Sequence, residues 1–124
     1  MVVHLIDGTY ELYRHFYGLR RFTKKDRPYG AVVGDGPVYV SFDVDGIDPG
    51  FAPGTGTPEV GGLTPREVLG ILRGLAGIDI VGGDVMEIAP QYDATTNTAQ
   101  IGAQCLFEML CLVAIRRRQQ RSPA

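Results

Sequence analysis

The chain has 124 residues, 17 of them glycine, with 44% apolar residues, 21% charged residues and a net charge of −2. This balance fits one compact core, and it excludes a low-complexity disordered chain and a general polyanion binder, which would need a large excess of Lys and Arg. No basic segment followed by an apolar run opens the sequence, so a signal peptide is not expected and a cytoplasmic location is the default expectation.

The first apolar run, residues 2–6, reads as a short strand that ends at Asp7. Residues 9–17 follow as a helix with Leu12, Tyr13, Phe16 and Tyr17 on one face, and Gly18 is placed to end it. His4 reads as a strand residue and His15 as a surface or boundary residue. Arg20, Arg21, Lys24, Lys25 and Arg27 form a basic stretch that reads as a solvated linker, with phosphate contact as the alternative.

Residues 37–42, Pro-Val-Tyr-Val-Ser-Phe, are β-branched and aromatic between Gly36 and a glycine-rich loop, which predicts a buried parallel strand. Asp43 ends it. Alternation along an extended segment puts Asp43 and Asp45 on the same side, where two carboxylates can share a divalent cation. Such hard oxygen donors suit Mn, Mg or Ca, and the alternative is that both aspartates are turn residues. An EF-hand would need glycine sixth and glutamate twelfth, yet counting from Asp43 those places hold Asp48 and Gly54. A dinucleotide fingerprint fails as well, because Gly54-Thr-Gly56-Thr-Pro-Glu59 ends on glutamate where the last glycine belongs.

Thr64-Pro65-Arg66-Glu67 is a capping box with proline in the first turn, and it predicts a helix over residues 65–73 that stops at Gly74 and buries Val68, Leu69, Ile71 and Leu72 on one side. Residues 78–87 read as a second strand. Glu87 then sits near its carboxyl end, on the edge that also holds Asp43 if the strands are parallel. A last helix over residues 98–117 carries Ile101, Leu106, Leu110, Val113 and Ala114, with Arg116, Arg117 and Arg118 complementing its dipole. Its apolar run, residues 106–115, is interrupted by Glu108 and reads as too short to span a membrane, which leaves core packing or a subunit contact. Cys105 and Cys111 lie in that helix and are expected to be reduced packing residues. The class is α/β, a parallel sheet with flanking helices.

Ser41-Phe-Asp43-Val-Asp45-Gly-Ile-Asp48-Pro49, continued by Ala52-Pro-Gly-Thr-Gly-Thr-Pro-Glu59-Val-Gly-Gly-Leu63, resembles the second metal-binding signature of the ureohydrolases, the agmatinase and arginase family. Val81-Gly-Gly-Asp84-Val-Met-Glu87-Ile-Ala-Pro90 extends the likeness, which covers residues 35–117 and is agmatinase-like in flavour. The resemblance implies the C-terminal part of an arginase-like fold and a binuclear manganese centre that activates water to attack a guanidinium carbon and expel urea. It implies that Asp43 bridges the metals, Asp45 holds one of them, and Glu87 accepts hydrogen bonds from a guanidino substrate such as agmatine. Asp48 is expected to shape the turn before Pro49, and Asp84 to be structural.

The family also draws ligands from a Gly-Gly-Asp-His and an Asp-Ala-His-x-Asp segment, and neither occurs in this sequence. Two carboxylates without imidazoles should hold manganese weakly. The expectation is therefore a ureohydrolase portion that is incomplete and inactive as this chain alone, with a non-catalytic fragment or assembly domain as the alternative.

Residues 1–34, with Asp7 at a strand end, resemble the opening of 5′-3′ exonucleases and PIN-like nucleases, in which such an aspartate helps hold magnesium. The other acidic ligands do not follow, so Asp7 reads as a turn residue and nuclease activity is the distant alternative. The division is 1–34 and 35–124, a chimera joined near Gly34-Asp35. A partial sheet leaves an edge and a helix face to cover, which predicts a homo-oligomer, with neither membrane nor nucleic acid as partner.

Overall fold

The computed structural model describes residues 37–121. Strands β1 (Val38–Asp43) and β2 (Ile80–Met86) form a parallel two-stranded sheet. The register runs from Tyr39 opposite Gly82 to Asp43 opposite Met86, after an irregularity between Val38 and Tyr39. Parallel pairing needs a crossover, and the loop of residues 44–64 with helix α1 (Pro65–Gly74) provides it. Helix α2 (Asn97–Arg121) follows β2, and short 3-10 turns, Val44–Gly46 and Pro90–Tyr92, lie just beyond the two strands.

The capping box forms as read: Thr64 Oγ1 accepts from the Glu67 N–H, and Glu67 Oε2 accepts from the Thr64 N–H at 2.8 Å. Val68 and Leu72, one turn apart, are buried, whereas Leu69 and Ile71 are half-buried. The helix includes Gly74 and is capped by Leu75, and Gly77, at φ 95°, makes the left-handed turn toward β2. One core joins Val38, Val40 and Ile80 of the sheet to Val68, Leu72 and Leu75, and to Cys105, Met109 and Leu112 of α2.

Alternation along β1 puts Tyr39 and Ser41 on the face away from Val38 and Val40. There the Ser41 hydroxyl donates to Asp84 Oδ1 at 2.7 Å and the Tyr39 hydroxyl to Asp84 Oδ2 at 3.1 Å. The bond to Asp84 holds the Tyr39 phenol above its ordinary pKa, because it favours the protonated form. Asp84 thus ties the two strands together across the register.

Helix α2 meets the sequence expectation in part: Ile101 and Val113 pack against the core, and the other apolar residues named for it do not. Thr98, Gly102, Cys105, Met109 and Leu112 are buried, while Leu106, Leu110 and Ala114 are exposed. Close approach accounts for the buried face. A Cβ on Gly102 would collide with Ile88, and one on Gly83 would meet Met109 Sδ and the Val40 carbonyl at 2.7 Å, so glycines on both sides of the contact let this face of the helix approach the sheet closely. Glu108 is not a mere interruption: Arg73 of α1 donates to it from Nη2 at 2.5 Å and from Nε at 3.1 Å, and Gln104 adds a third bond at 3.2 Å. Arg116 pairs with Asp79 ahead of β2 instead of serving the helix end, where Arg118 and Arg121 stand. By length and composition the whole helix could cross a membrane, which corrects the reading taken from its apolar run alone; its buried face and these ion pairs tie it to the sheet and to α1. Cys105 and Cys111 are free thiols, and burial, with a smaller contribution from Glu108, pushes the Cys105 thiol up to about 11.

Asp7, His4, His15, the strand and helix read over residues 2–17, the basic stretch and the join near Gly34-Asp35 all lie outside the described residues.

Candidate functional site

The carboxyl edge of the sheet gathers the sequence-predicted residues. Asp43 closes β1 with extended backbone, φ −96° and ψ 122°, and its Oδ1 accepts from the Asp45 N–H at 2.9 Å. Asp45 therefore lies in a 3-10 turn capped by Asp43 and not in the strand, so strand alternation is not what brings the pair together. A short polar side chain at a strand end competes for the next free backbone N–H, and that local bond bends the chain.

Asp45 is then fastened by the loop that follows. Its Oδ2 accepts from the Thr57 hydroxyl and its carbonyl from the Glu59 N–H at 3.2 Å. Asp48 accepts from the Gly50 and Gly61 N–H groups at 2.8 Å each, which makes it the turn-shaping residue of the loop. Gly62 must be glycine, since a Cβ would meet the Gly46 carbonyl at 2.7 Å and the Asp48 nitrogen at 2.9 Å. Against this dense bonding, Asp45 Oδ1 and Thr55 Oγ1 are buried without a hydrogen-bond partner among the described residues. A buried carboxylate oxygen without a donor is costly unless a cation meets it, so its chemistry fits a hard divalent metal.

Glu87 follows β2 directly, and its predecessor Met86 is the register partner of Asp43, which places the three carboxylates on one edge. Glu87 is exposed and has φ 64°, a left-handed conformation that a residue with a Cβ adopts at a cost. Two residues on, the Ala89 N–H donates to the Gly54 carbonyl at 2.7 Å, and the Gly54 N–H donates to Thr98 Oγ1 at 2.8 Å. Asp93 completes this group, accepting from the Thr95 hydroxyl at 2.6 Å and from the Thr95 and Thr98 N–H groups at 2.8 Å. Those donors, the Thr95 hydroxyl first, hold its carboxyl far below the usual carboxylate range.

The sequence reading named Asp43, Asp45 and Glu87, which the structure places on one edge, quoted Gly54, Thr55 and Thr57 only as part of a motif, and did not name Asp93 or Thr98. Asp93-Ala-Thr95 ahead of a helix has the form of a capping turn, and that signal was available. The partners of Gly54 were not readable, because they stand far from it in the chain. Among the described residues no group of three or more His, Cys, Asp or Glu side chains could hold a metal ion.

Comparison with known proteins bears on the family and the fold. The model of the arginase family matches residues 18–111. Mitochondrial agmatinase of Gallus gallus is 62% identical over 81 residues, which span 65% of this chain and 24% of that protein. Guanidinobutyrase of Pseudomonas aeruginosa is 58% identical over 81 residues, 65% of this chain and 25% of that protein. The crystal structure of a hypothetical agmatinase from Burkholderia thailandensis superposes with a TM-score of 0.66 at 45% identity, covering 76% of this chain and 29% of that one. The chain spans about a quarter of the length of these curated relatives.

Proposed function

The chain belongs to the arginase family, and from that premise we propose that residues 37–121 form one wall of a ureohydrolase site, agmatinase-like, that hydrolyses a guanidino C–N bond and releases urea. The observation that carries the reading is the buried Asp45 Oδ1, left without a partner while Asp45 Oδ2 and the Asp45 carbonyl are both bonded within the loop. Asp43 and Asp45 are the residues that would hold manganese, the metal that the ureohydrolase resemblance implies. When bound, it would supply a water of lowered pKa and offset charge developing at the reacting carbon.

The chain's own residues do the rest. Thr57 and Glu59 hold Asp45 in a single orientation, which removes the entropy that a free side chain would lose on binding a cation. Glu87 offers two oxygens to the planar guanidinium, a pairing that favours bidentate bonds, and its left-handed backbone sets where they stand. One water is added across the C–N bond, and urea and the amine leave. Two carboxylates hold the metal weakly, so full activity requires imidazole ligands from another polypeptide segment. A second reading, a non-catalytic assembly domain, is favoured by the lack of a three-residue ligand group among the described residues.

Titration with Mn(II) separates the readings. Weak binding is expected in the wild type, reduced about tenfold or more in Asp43→Ala, since even outer residues of metal sites carry that much affinity. Urea release from agmatine or 4-guanidinobutyrate, measured in parallel, tests the active form. Binding that is indifferent to Asp43, with no guanidino substrate turned over, leaves the non-catalytic reading.

A further inference from the structure

We infer that Gly54 and Thr98 form a positioning joint that sets the loop fastening Asp45 against the backbone that carries Glu87; this rests on the ureohydrolase reading above. Three segments meet at Gly54. Its N–H donates to Thr98 Oγ1 at the start of α2, and its carbonyl accepts from Ala89, two residues beyond Glu87. In the other direction, Gly54 lies three residues before Thr57, whose hydroxyl holds Asp45. A shift at Gly54 therefore reaches both the metal side and the substrate side of the edge.

The far side of the joint is rigid. Thr98 is 1% exposed, and its N–H donates to Asp93 Oδ2 at 2.8 Å. The approach admits no side chain at Gly54, where a Cβ would stand 2.8 Å from Asp93 Cβ and 2.9 Å from Thr98 Oγ1. Capping of α2 is served by the Asp93 carboxylate through the Thr98 N–H, so the acceptor side of the Thr98 hydroxyl is spent on the loop instead of on the helix.

Amide hydrogen exchange on the full chain tests the joint. Thr98→Val keeps the shape and removes the hydroxyl, and it should speed exchange about tenfold at both Gly54 and Ala89, the equivalent of one lost hydrogen bond, with the middle of α2 unchanged. Thr98→Ser should restore both amides. Acceleration at Gly54 with Ala89 unchanged, or no rescue by serine, overturns the joint. Should Thr98→Val fail to fold, wild-type exchange in low urea decides: one shared opening profile for the two amides supports the joint, and separate profiles overturn it. Mn(II) alone then reports the premise separately. Paramagnetic broadening of the Glu87 amide is expected in the wild type and altered in Thr98→Val. Its absence from the wild type overturns the ureohydrolase reading, and with it the functional role of the joint, even where the exchange coupling holds.

Discussion

The chain leaves its two strands in unlike ways. After β1 it turns at once into a loop whose aspartates bond locally, Asp43 to Asp45, Asp48 to Gly50 and Gly61, Asp45 to Thr57 and Glu59, while Gly54 reaches out to Thr98 and Ala89. After β2 it passes through a left-handed Glu87 and is held from outside, by Ala89 on Gly54 and by Ile88 packed against Gly102. The aspartates of the first segment take their geometry from near neighbours, whereas Glu87 takes its own from contacts across the chain. A metal ligand needs one fixed orientation from near neighbours, whereas a substrate carboxylate has to be placed relative to a site on a different strand.

Substitutions separate the two segments. Gly54→Ala should act on both at once, costing about 1–3 kcal/mol through the forced contact with Asp93 and Thr98, read as a lower urea midpoint at unchanged m-value. A neutral outcome would mean that the second segment is not held by the first. Glu87→Gly should act on the second segment alone and in the opposite sense: relief of the left-handed strain, less the entropy of a new glycine, gives a gain of about 0.5–1 kcal/mol, with loss of guanidino-ligand binding. Calorimetry and ligand titration on one sample check both halves.

The Asp93 group predicts a pH dependence peculiar to the second segment. Its folded carboxyl lies far below the unfolded value of about 3.9, so its stabilisation is present above that pH and is lost as the pH falls toward the folded value. Asp93→Asn should flatten the acid fall of stability below about pH 4, measured as urea midpoints at several pH values. Leu110→Ser, on the outer face of α2, touches neither segment and should change stability by less than about 0.5 kcal/mol. It should nevertheless weaken self-association at micromolar concentration in sedimentation, because Leu106, Phe107 and Leu110 leave an apolar face exposed.

Much of the first segment was legible in the sequence for the same physical reason. Turn-forming aspartates, glycines and a capping box act on neighbours a few residues away, and their spacing states the geometry. The parallel strands, the crossover helix and the shared edge of Asp43 and Glu87 followed from patterns of this kind. Asp45 shows the limit: alternation placed it as though the strand continued, whereas the strand ends at Asp43, whose side chain accepts from the Asp45 N–H and starts a 3-10 turn. In α2, hydrophobicity named Ile101, Leu106, Leu110, Val113 and Ala114 without saying which of them meet the core, and steric approach buried Gly102, Cys105 and Met109 with Ile101 and Val113 at the margin.

The sequence by itself determined the α/β class, the family and the acidic residues of the edge, because those depend on local propensity and on a long contiguous motif. Only the tertiary structure decided which face of α2 is buried, that Glu108 clamps α1, and that Gly54 joins the loops beyond the two strands. The last two rest on contacts between residues 35 to 44 positions apart, and all three are set by how closely packed elements can approach, which no local pattern encodes.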